Sequence, residues 1–296
     1  MKRSSFLTAL AVLAAFAALS VACKSQYDQL LESNDVDAKY NAAFEYFNNG
    51  KYTRAAQLFE SLTLLTNGTE RYDTVMFYLG LSNYSNKDYY TAETNFQQYM
   101  TYFPQSTFSE MAEFLRIDCL YRSTLRYELD QAPTYTAMTA MGEFLRDHPT
   151  GANADICRHW LEELSERLDR KAYENAKLYY KMEDYLAARV ALRNVLKDNA
   201  ENAYREDILY YTAMASYHYA RMSVQAKQKE RYLVFVDDYL NFVGEYPESK
   251  YRRELDAMNR RAQRALGRYD GVDEELELKA KDFERARKEM EKESKK

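Results

Sequence analysis

The sequence predicts an all-α protein, an α-solenoid of about five helix hairpins. The first observation is a recurring signature of an aromatic, a small and a large apolar residue at offsets 0, 3 and 7, which fall on one face of a helix. It stands at Tyr52, Ala55 and Phe59, at Tyr89, Ala92 and Phe96, and more loosely at Tyr185, Ala188 and Leu192. The second observation is that only 8 glycines and 4 prolines interrupt 296 residues, which favours helices over turns.

The first element, residues 1–22, is predicted to be a secretory signal. A positive start at Met1-Lys2-Arg3 is followed by an apolar run to Ala22 and by small residues before Cys23. This pattern resembles a bacterial lipobox, which implies that Cys23 is diacylated on its sulfur and becomes the mature N-terminus. Lys24 is not the aspartate that retains enteric lipoproteins at the inner membrane, so the resemblance implies the periplasmic leaflet of the outer membrane. The alternatives are an ordinary cleaved signal and an uncleaved anchor.

A lipidated linker at residues 23–36 is predicted to lead into a solenoid at residues 37–267. The unit is similar to the tetratricopeptide repeat, a stacked helix-turn-helix. The signature and the closing prolines predict five hairpins: the first at about Asp37–Thr66, the second at about Asp73–Pro104, the third ending at Pro149, the fourth at about Lys171–Asn199 and the fifth ending at Pro247. Residues 37–149 are the N-terminal repeats and residues 150–267 are the C-terminal repeats. Compared with the second hairpin, the third and fifth each have about eight additional residues between the aromatic of the first helix and the anchor of the second helix. This predicts longer hairpins that project from one end of the solenoid.

The final segment, residues 268–296, is highly charged and is predicted to be a helical or flexible tail. Its thin apolar stripe, which includes Phe283, is a candidate for docking on a partner. A solvated and frayed tail is the alternative.

Several function classes are disfavoured by the sequence. The net charge is −5, and removal of Lys2 and Arg3 with the signal would make it more negative by two, so an acidic chain without a basic cluster argues against nucleic acid as partner. The three histidines are scattered and no glycine-rich phosphate loop occurs, so we expect no enzyme activity, no metal and no cofactor. Cys119 and Cys157 either form a disulfide or are buried separately.

The order of these elements resembles the BamD (YfiO) family, the lipoprotein subunits of the outer-membrane β-barrel assembly machinery. The most specific likeness lies in Leu164-Ser-Glu-Arg-Leu168 and in Ala176-Lys-Leu-Tyr-Tyr180. The resemblance implies a scaffold whose C-terminal repeats bind the periplasmic domains of BamA, and which assembles with the other subunits. It also implies that the N-terminal repeats receive unfolded barrel substrates. The alternative is a periplasmic adaptor lipoprotein for an envelope-synthesis or polysaccharide-export complex.

One aromatic residue recurs at an equivalent position of each first helix, in the series Phe47, Tyr84, Tyr121, Tyr180 and Tyr219. Equivalent positions of a superhelix line one surface. We predict a substrate-binding groove lined by Tyr40, Phe44, Phe47, Arg71, Phe77, Leu81, Tyr84, Arg116 and Tyr121, and partner-binding residues at Tyr180, Tyr219 and Phe283. The two arginines are candidates for binding a terminal carboxylate. The alternative is that the five rings pack between the helices of their own repeats.

Overall fold

The computed structural model of this chain describes residues 26–267 and Arg285. Within these residues, all regular secondary structure is helical. The helices are α1 (Gln26–Glu32), α2 (Val36–Asn48), α3 (Tyr52–Leu65), α4 (Arg71–Ser85), α5 (Tyr89–Tyr102), α6 (Ser109–Ser123), α7 (Ala132–Asp147), α8 (Ala152–Lys181), α9 (Tyr185–Asp198), α10 (Arg205–Arg221), α11 (Gln225–Glu245) and α12 (residues 252–267).

Ten of these helices form five consecutive hairpins, which we number one to five: α2–α3, α4–α5, α6–α7, α8–α9 and α10–α11. The two helices of hairpins one, two, three and five pack against each other. In hairpin four, Tyr173 and Ala176 of α8 pack with Leu192 of α9 in one apolar cluster. The prediction of an all-α, tetratricopeptide-like hairpin architecture is therefore confirmed.

The chain divides into two compact units. The first contains residues up to Leu125 together with Asp130–Leu161, and the second contains Arg126–Leu129 together with the residues from Glu162 onward. Each unit has its own buried core. The largest side chains without solvent exposure include Phe59, Phe96, Tyr99 and Phe144 in the first unit, and Leu164, Leu192, Phe235 and Phe242 in the second.

The turn within a hairpin has the same backbone form in hairpins one, two and four. The residue two positions before the signature tyrosine has a left-handed backbone, with φ of 72° at Gly50, 64° at Lys87 and 63° at Glu183. The next residue is Asp88 in hairpin two and Asp184 in hairpin four, and each caps the following helix with its carboxylate. In these three hairpins the repeated signature therefore marks the start of the second helix, as predicted.

A glycine in α4 fixes how closely the two helices of hairpin two approach. A Cβ built on Gly80 of α4 would lie 2.8 Å from Cε1 of Phe96 in α5. Any side chain at this position would collide with a fully buried ring. Gly80 is therefore the close-approach residue of hairpin two.

The additional residues of hairpins three and five take different forms. In hairpin three they form a loop at residues 124–131 between α6 and α7. In hairpin five they are helical, because α11 has 21 residues whereas α5 has 14. The sequence predicted both extensions but did not distinguish a loop from added helical turns.

Candidate functional site

A set of contacts that we call the closing clasp joins the two ends of a hairpin. In hairpin two, Asp73 in the first turn of α4 accepts hydrogen bonds from the Tyr99 hydroxyl and, at 2.8 Å, from the Ser106 hydroxyl. The Ser106 hydroxyl also accepts from the backbone N–H of Phe108. The Phe108 ring stacks on Phe77 at 4.6 Å, one helical turn after Asp73. One carboxylate and one ring thereby hold the segment that follows α5.

The same clasp recurs in hairpin five. Glu206 accepts a hydrogen bond from Ser249, whose hydroxyl accepts from the backbone N–H of Tyr251. The Tyr251 ring stacks on Tyr210 at 4.0 Å, and its hydroxyl donates to Asp207. Along the chain, the acid, the ring that it precedes, the serine and the closing aromatic follow one another in the same order as in hairpin two.

Hairpin four lacks the closing proline but is nevertheless closed. Asp169 accepts from the Asn199 side chain at 2.8 Å and from the backbone N–H of Ala203 at 2.9 Å. Asn202 takes the place of the serine and accepts from the backbone N–H of Tyr204, whose ring stacks on Tyr173 at 5.2 Å. Sequence reasoning missed all three clasps, although a cap residue two positions before an aromatic was a usable signal.

Hairpin one is closed by Arg71, one of the two arginines predicted to bind a carboxylate. Its guanidinium lies 2.6 Å from Asp37 and 5.0 Å from the centre of the Tyr40 ring. The other predicted arginine, Arg116, forms an ion pair with Glu93 at 2.8 Å. Both arginines therefore have a carboxylate partner within the first unit.

The predicted aromatic series lies at the junctions between helices. In the first unit, Phe47 contacts the rings of Tyr52 and Tyr78, and Tyr121 stacks on Trp160 at 4.5 Å. Tyr84 is the third member of the series in this unit. Each of the three rings is partly buried, and their role in a groove stays a prediction.

Tyr84 belongs to a buried polar cluster. Its hydroxyl donates to Asp118, a carboxylate with 3% exposure that also pairs with Arg122 at 3.0 Å. Burial, supported by the bond to Asp118, raises the pKa of Tyr84 to about 12. This arrangement holds α4 to α6, and it keeps the tyrosine neutral to a higher pH than that of a tyrosine in water.

The remaining predicted groove residues differ in accessibility. Phe77 is buried, whereas Tyr40, Phe44 and Leu81 are partly buried. Phe44 contacts both Phe59 and Tyr78, so it belongs to the core of hairpin one. Their use by a substrate stays a prediction.

In the second unit, Tyr180 contacts the rings of Tyr185, Tyr211 and His218, and burial raises its pKa to about 12. Tyr219 lies under the guanidinium of Arg231, with 4.0 Å between that group and the ring centre. Both rings are partly buried. A partner-binding role for either residue stays a prediction.

The clasp gives a second way to align hairpin five with the other hairpins. Asp169 precedes Tyr180 by the same number of residues as Glu206 precedes Tyr217. By this register the residue equivalent to Tyr180 is Tyr217, two positions before Tyr219. Tyr217 is buried and contacts Phe235 of α11.

Two surface grooves lie in the second unit, and sequence reasoning identified neither. A groove of about 650 Å³ between α9, α10 and α11 contains a bidentate pair of Arg189 with Asp238, with distances of 2.6 and 3.1 Å. Arg205, also in its wall, pairs with Glu245. Arg193 and Lys197 add two exposed cations to the rim. The arrangement suits a polar or acidic segment of another protein.

The other groove, of about 570 Å³, lies between α8 and α9 and is largely apolar. Hairpin four exposes five large apolar side chains, each at least 41% accessible: Leu178, Tyr179, Met182, Leu186 and Val190. We call these residues the apolar face of hairpin four. Leu178, Tyr179 and Met182 line the groove itself. Such a concentration of exposed apolar residues is typical of a protein-binding surface.

Both internal cysteines are free thiols buried in the first unit. Burial raises the pKa of Cys119 to about 12 and that of Cys157 to about 11. Of the two possibilities that the sequence left open, the structure therefore shows separate burial.

Two of the predicted site residues, Cys23 and Phe283, lie outside the described residues. Among the described residues, no group of acidic, histidine and cysteine side chains has an arrangement that could hold a metal ion. No helix in that part combines the length and the hydropathy needed to span a membrane.

Comparison with known proteins identifies the family. No curated protein matches the sequence. Among solved structures, the TPR2AB domain of yeast Sti1, in its pHSP90 complex, aligns over 77% of this chain and 98% of its own, with 14% identity and a TM-score of 0.38. The family model described as YfiO, outer membrane lipoprotein, matches residues 32–234, which include all five hairpins except the second half of α11. The chain therefore belongs to the YfiO family of outer membrane lipoproteins.

Proposed function

We propose that this protein is a lipid-anchored subunit of the β-barrel assembly complex of the outer membrane. It lies at the periplasmic leaflet, tethered through Cys23, and acts by binding and positioning other proteins. It is not an enzyme and requires no cofactor. The family assignment supports the membrane location, and the hairpin architecture supports a role in protein binding.

The observation that carries the proposal is the apolar face of hairpin four. Leu178 is 50% exposed on α8, which also supplies the buried core residue Tyr173, and Met182, in the turn that follows α8, is 57% exposed. Exposed apolar side chains that line a largely apolar groove match the apolar centre of a protein interface. We propose that this surface binds the periplasmic domains of a BamA-like barrel protein, with Tyr180, Tyr219 and Phe283 as further contacts.

The N-terminal repeats are proposed to receive unfolded barrel substrates along the predicted groove. Of the two arginines, Arg71 is the better candidate for a substrate carboxylate. Its partner Asp37 is 77% exposed, and an exposed ion pair contributes little stability, so an incoming carboxylate can replace Asp37 at small cost. Arg116 and Glu93 are both less exposed.

The test is a pull-down of the lipidated protein from gently solubilised outer membrane, with mass spectrometry of the retained proteins. We expect a BamA-like barrel protein in near-equal amount. Met182→Glu and Leu178→Glu introduce a charge into the apolar face, and each should reduce this recovery about tenfold or more, as for residues at the centre of an interface. Leu64→Glu is the matched control, because Leu64 is 86% exposed on hairpin one.

The contrary result is equally clear. If the barrel protein is absent and a synthase or transporter is enriched, the protein is an adaptor for another envelope complex. If the barrel protein is recovered equally with all three variants, the apolar face is not its binding surface. Circular dichroism of each variant checks that the fold is retained.

A further inference from the structure

The predicted anchor lies very close to the folded body. Helix α1 begins at Gln26, three residues after Cys23. Three residues of fully extended chain span at most about 11 Å. If Cys23 carries lipid, as proposed above, its sulfur lies at the membrane interface, and the Cα atom of Gln26 lies within about 11 Å of the Cα atom of Cys23.

Helix α1 is in turn fixed to the first unit by its second residue. Tyr27 is 9% exposed and packs in the core cluster of hairpin one. Its hydroxyl donates to the side-chain oxygen of Gln57 at 2.6 Å, and its ring meets Tyr46 edge-on at 5.3 Å. The guanidinium of Arg54 lies 5.0 Å from the Tyr27 ring centre. The start of the folded body is therefore attached to α2 and α3 by packing, a hydrogen bond and a cation–π contact.

The side chains around this attachment carry charges of both signs. Lys51 and Arg54 are exposed and lie 5.6 and 5.7 Å from the Tyr46 ring centre. Asp28 and Glu32 lie on α1 itself. Phospholipid headgroups carry phosphate, which accepts hydrogen bonds from lysine and arginine. The mixed charges suit a surface that lies on headgroups without inserting into the hydrocarbon layer.

From this geometry we infer that α1 and the turn between α2 and α3 form the membrane-facing end of the first unit. The short tether, together with the burial of Tyr27, holds this end against the lipid surface. Lys51 and Arg54 face the headgroup phosphates. The inference rests on the proposed lipidation of Cys23 but is independent of any protein partner.

The experiment uses the full lipidated chain in vesicles of phosphatidylethanolamine and phosphatidylglycerol that contain a nickel-chelating lipid. A nitroxide label is attached at Asn49→Cys in the turn between α2 and α3, and in a second variant at Glu143→Cys on α7. Both positions are exposed, and the native cysteines of this unit are buried. The label at position 49 should show several-fold stronger relaxation by nickel than the label at position 143, because hairpin two separates hairpin one from hairpin three.

A third variant adds a 20-residue glycine–serine linker between Lys24 and Ser25 to the Asn49→Cys chain. Such a linker has an average reach of about 25 Å, so relaxation at position 49 should fall to the level seen at position 143. An unchanged signal would overturn the tether as its cause. Equal relaxation at the two positions in chains with the native linker would overturn the inference itself. Mass spectrometry of the N-terminal peptide tests lipidation separately, so failure of the proposed anchor is distinguished from failure of this inference.

Discussion

At the scale of single residues, the side chains selected from the sequence for binding also serve the fold. Arg71 and Arg116 were predicted to bind a carboxylate of a substrate, and each already binds a carboxylate of this chain. The aromatic series similarly contacts neighbouring helices. A sequence shows that an arginine or a ring is present, but the partner that it contacts depends on residues more than 20 positions away.

Gly80 offers a test of close packing at this scale. Gly80→Ala places a methyl group against the buried ring of Phe96, so it should lower the free energy of unfolding by about 1–3 kcal/mol. Gly142→Ala is the matched control, because no atom lies within 4 Å of a Cβ at that helical position. That substitution should increase the free energy of unfolding by up to about 1 kcal/mol. Urea unfolding followed by circular dichroism measures both, and equal effects would contradict the close approach.

At the scale of elements, the hairpins depend on closing clasps that join distant parts of the chain. Asp73 and Ser106 are 33 residues apart, and Glu206 and Ser249 are 43 apart. A hairpin that merely packed its helices would leave the segment after its second helix with few contacts. The clasp instead supplies a charge-assisted hydrogen bond and a stacked ring at that point.

Ser106→Ala tests the clasp of hairpin two. The substitution removes the hydroxyl that donates to Asp73 and accepts from the backbone N–H of Phe108. The partly buried carboxylate and the partly buried N–H each lose that hydrogen bond. The free energy of unfolding should fall by about 1–3 kcal/mol. Amide hydrogen exchange should become faster both in the first turn of α4 and at residues 103–108.

Thr107→Ala is the control for Ser106→Ala, because Thr107 is exposed in the same loop. It should change the free energy of unfolding by no more than about 0.5 kcal/mol. Faster exchange at only one end of hairpin two in the Ser106→Ala variant would argue against a clasp that couples the two ends.

At the scale of the whole molecule, the 28 tyrosines have a structural explanation. Many of their rings contact other rings between helices, and several hydroxyls donate to carboxylates, as in Tyr99 with Asp73 and Tyr239 with Asp256. Tyrosine can fill an apolar interface and still satisfy a polar group at its edge. The high tyrosine content is therefore a consequence of joining many short helices in two small cores.

This tyrosine content predicts loss of stability at alkaline pH. Burial raises the pKa of Tyr84 and Tyr180 to about 12, whereas an unfolded tyrosine ionises near pH 10. The stabilisation from a raised pKa is complete below about pH 10 and is lost as the pH rises to about 12. Urea midpoints should therefore fall between about pH 10 and about pH 12.

Tyr84→Phe should reduce the pH dependence of those midpoints, because phenylalanine does not ionise. Tyr90→Phe is the matched control, because the Tyr90 side chain is 86% exposed. Absorbance of tyrosinate, measured in parallel, should show delayed ionisation in the wild-type protein. Midpoints that are constant over this range would contradict the prediction.

The sequence was sufficient to predict the hairpins because helix periodicity, the turn and the small residue are local signals. It was also sufficient to predict hairpin four without its proline, through Tyr185 and Ala188. The clasp between Asp169 and the segment at Asn199–Ala203 was not predictable in the same way, since it depends on a match between two segments. The apolar face of hairpin four was missed for a related reason: Leu178 and Tyr173 both lie on α8, and only the packing shows which of the two is exposed.

The closing clasps also determine how a hairpin responds to mechanical tension. Because Asp73 holds the segment beyond α5, pulling on the chain cannot unwind one end of hairpin two gradually while the other end stays intact. The carboxylate must release its partners first, after which both helices are freed together. When the chain is loaded, hairpins two, four and five, which each have a clasp, should therefore each lengthen in one discrete step.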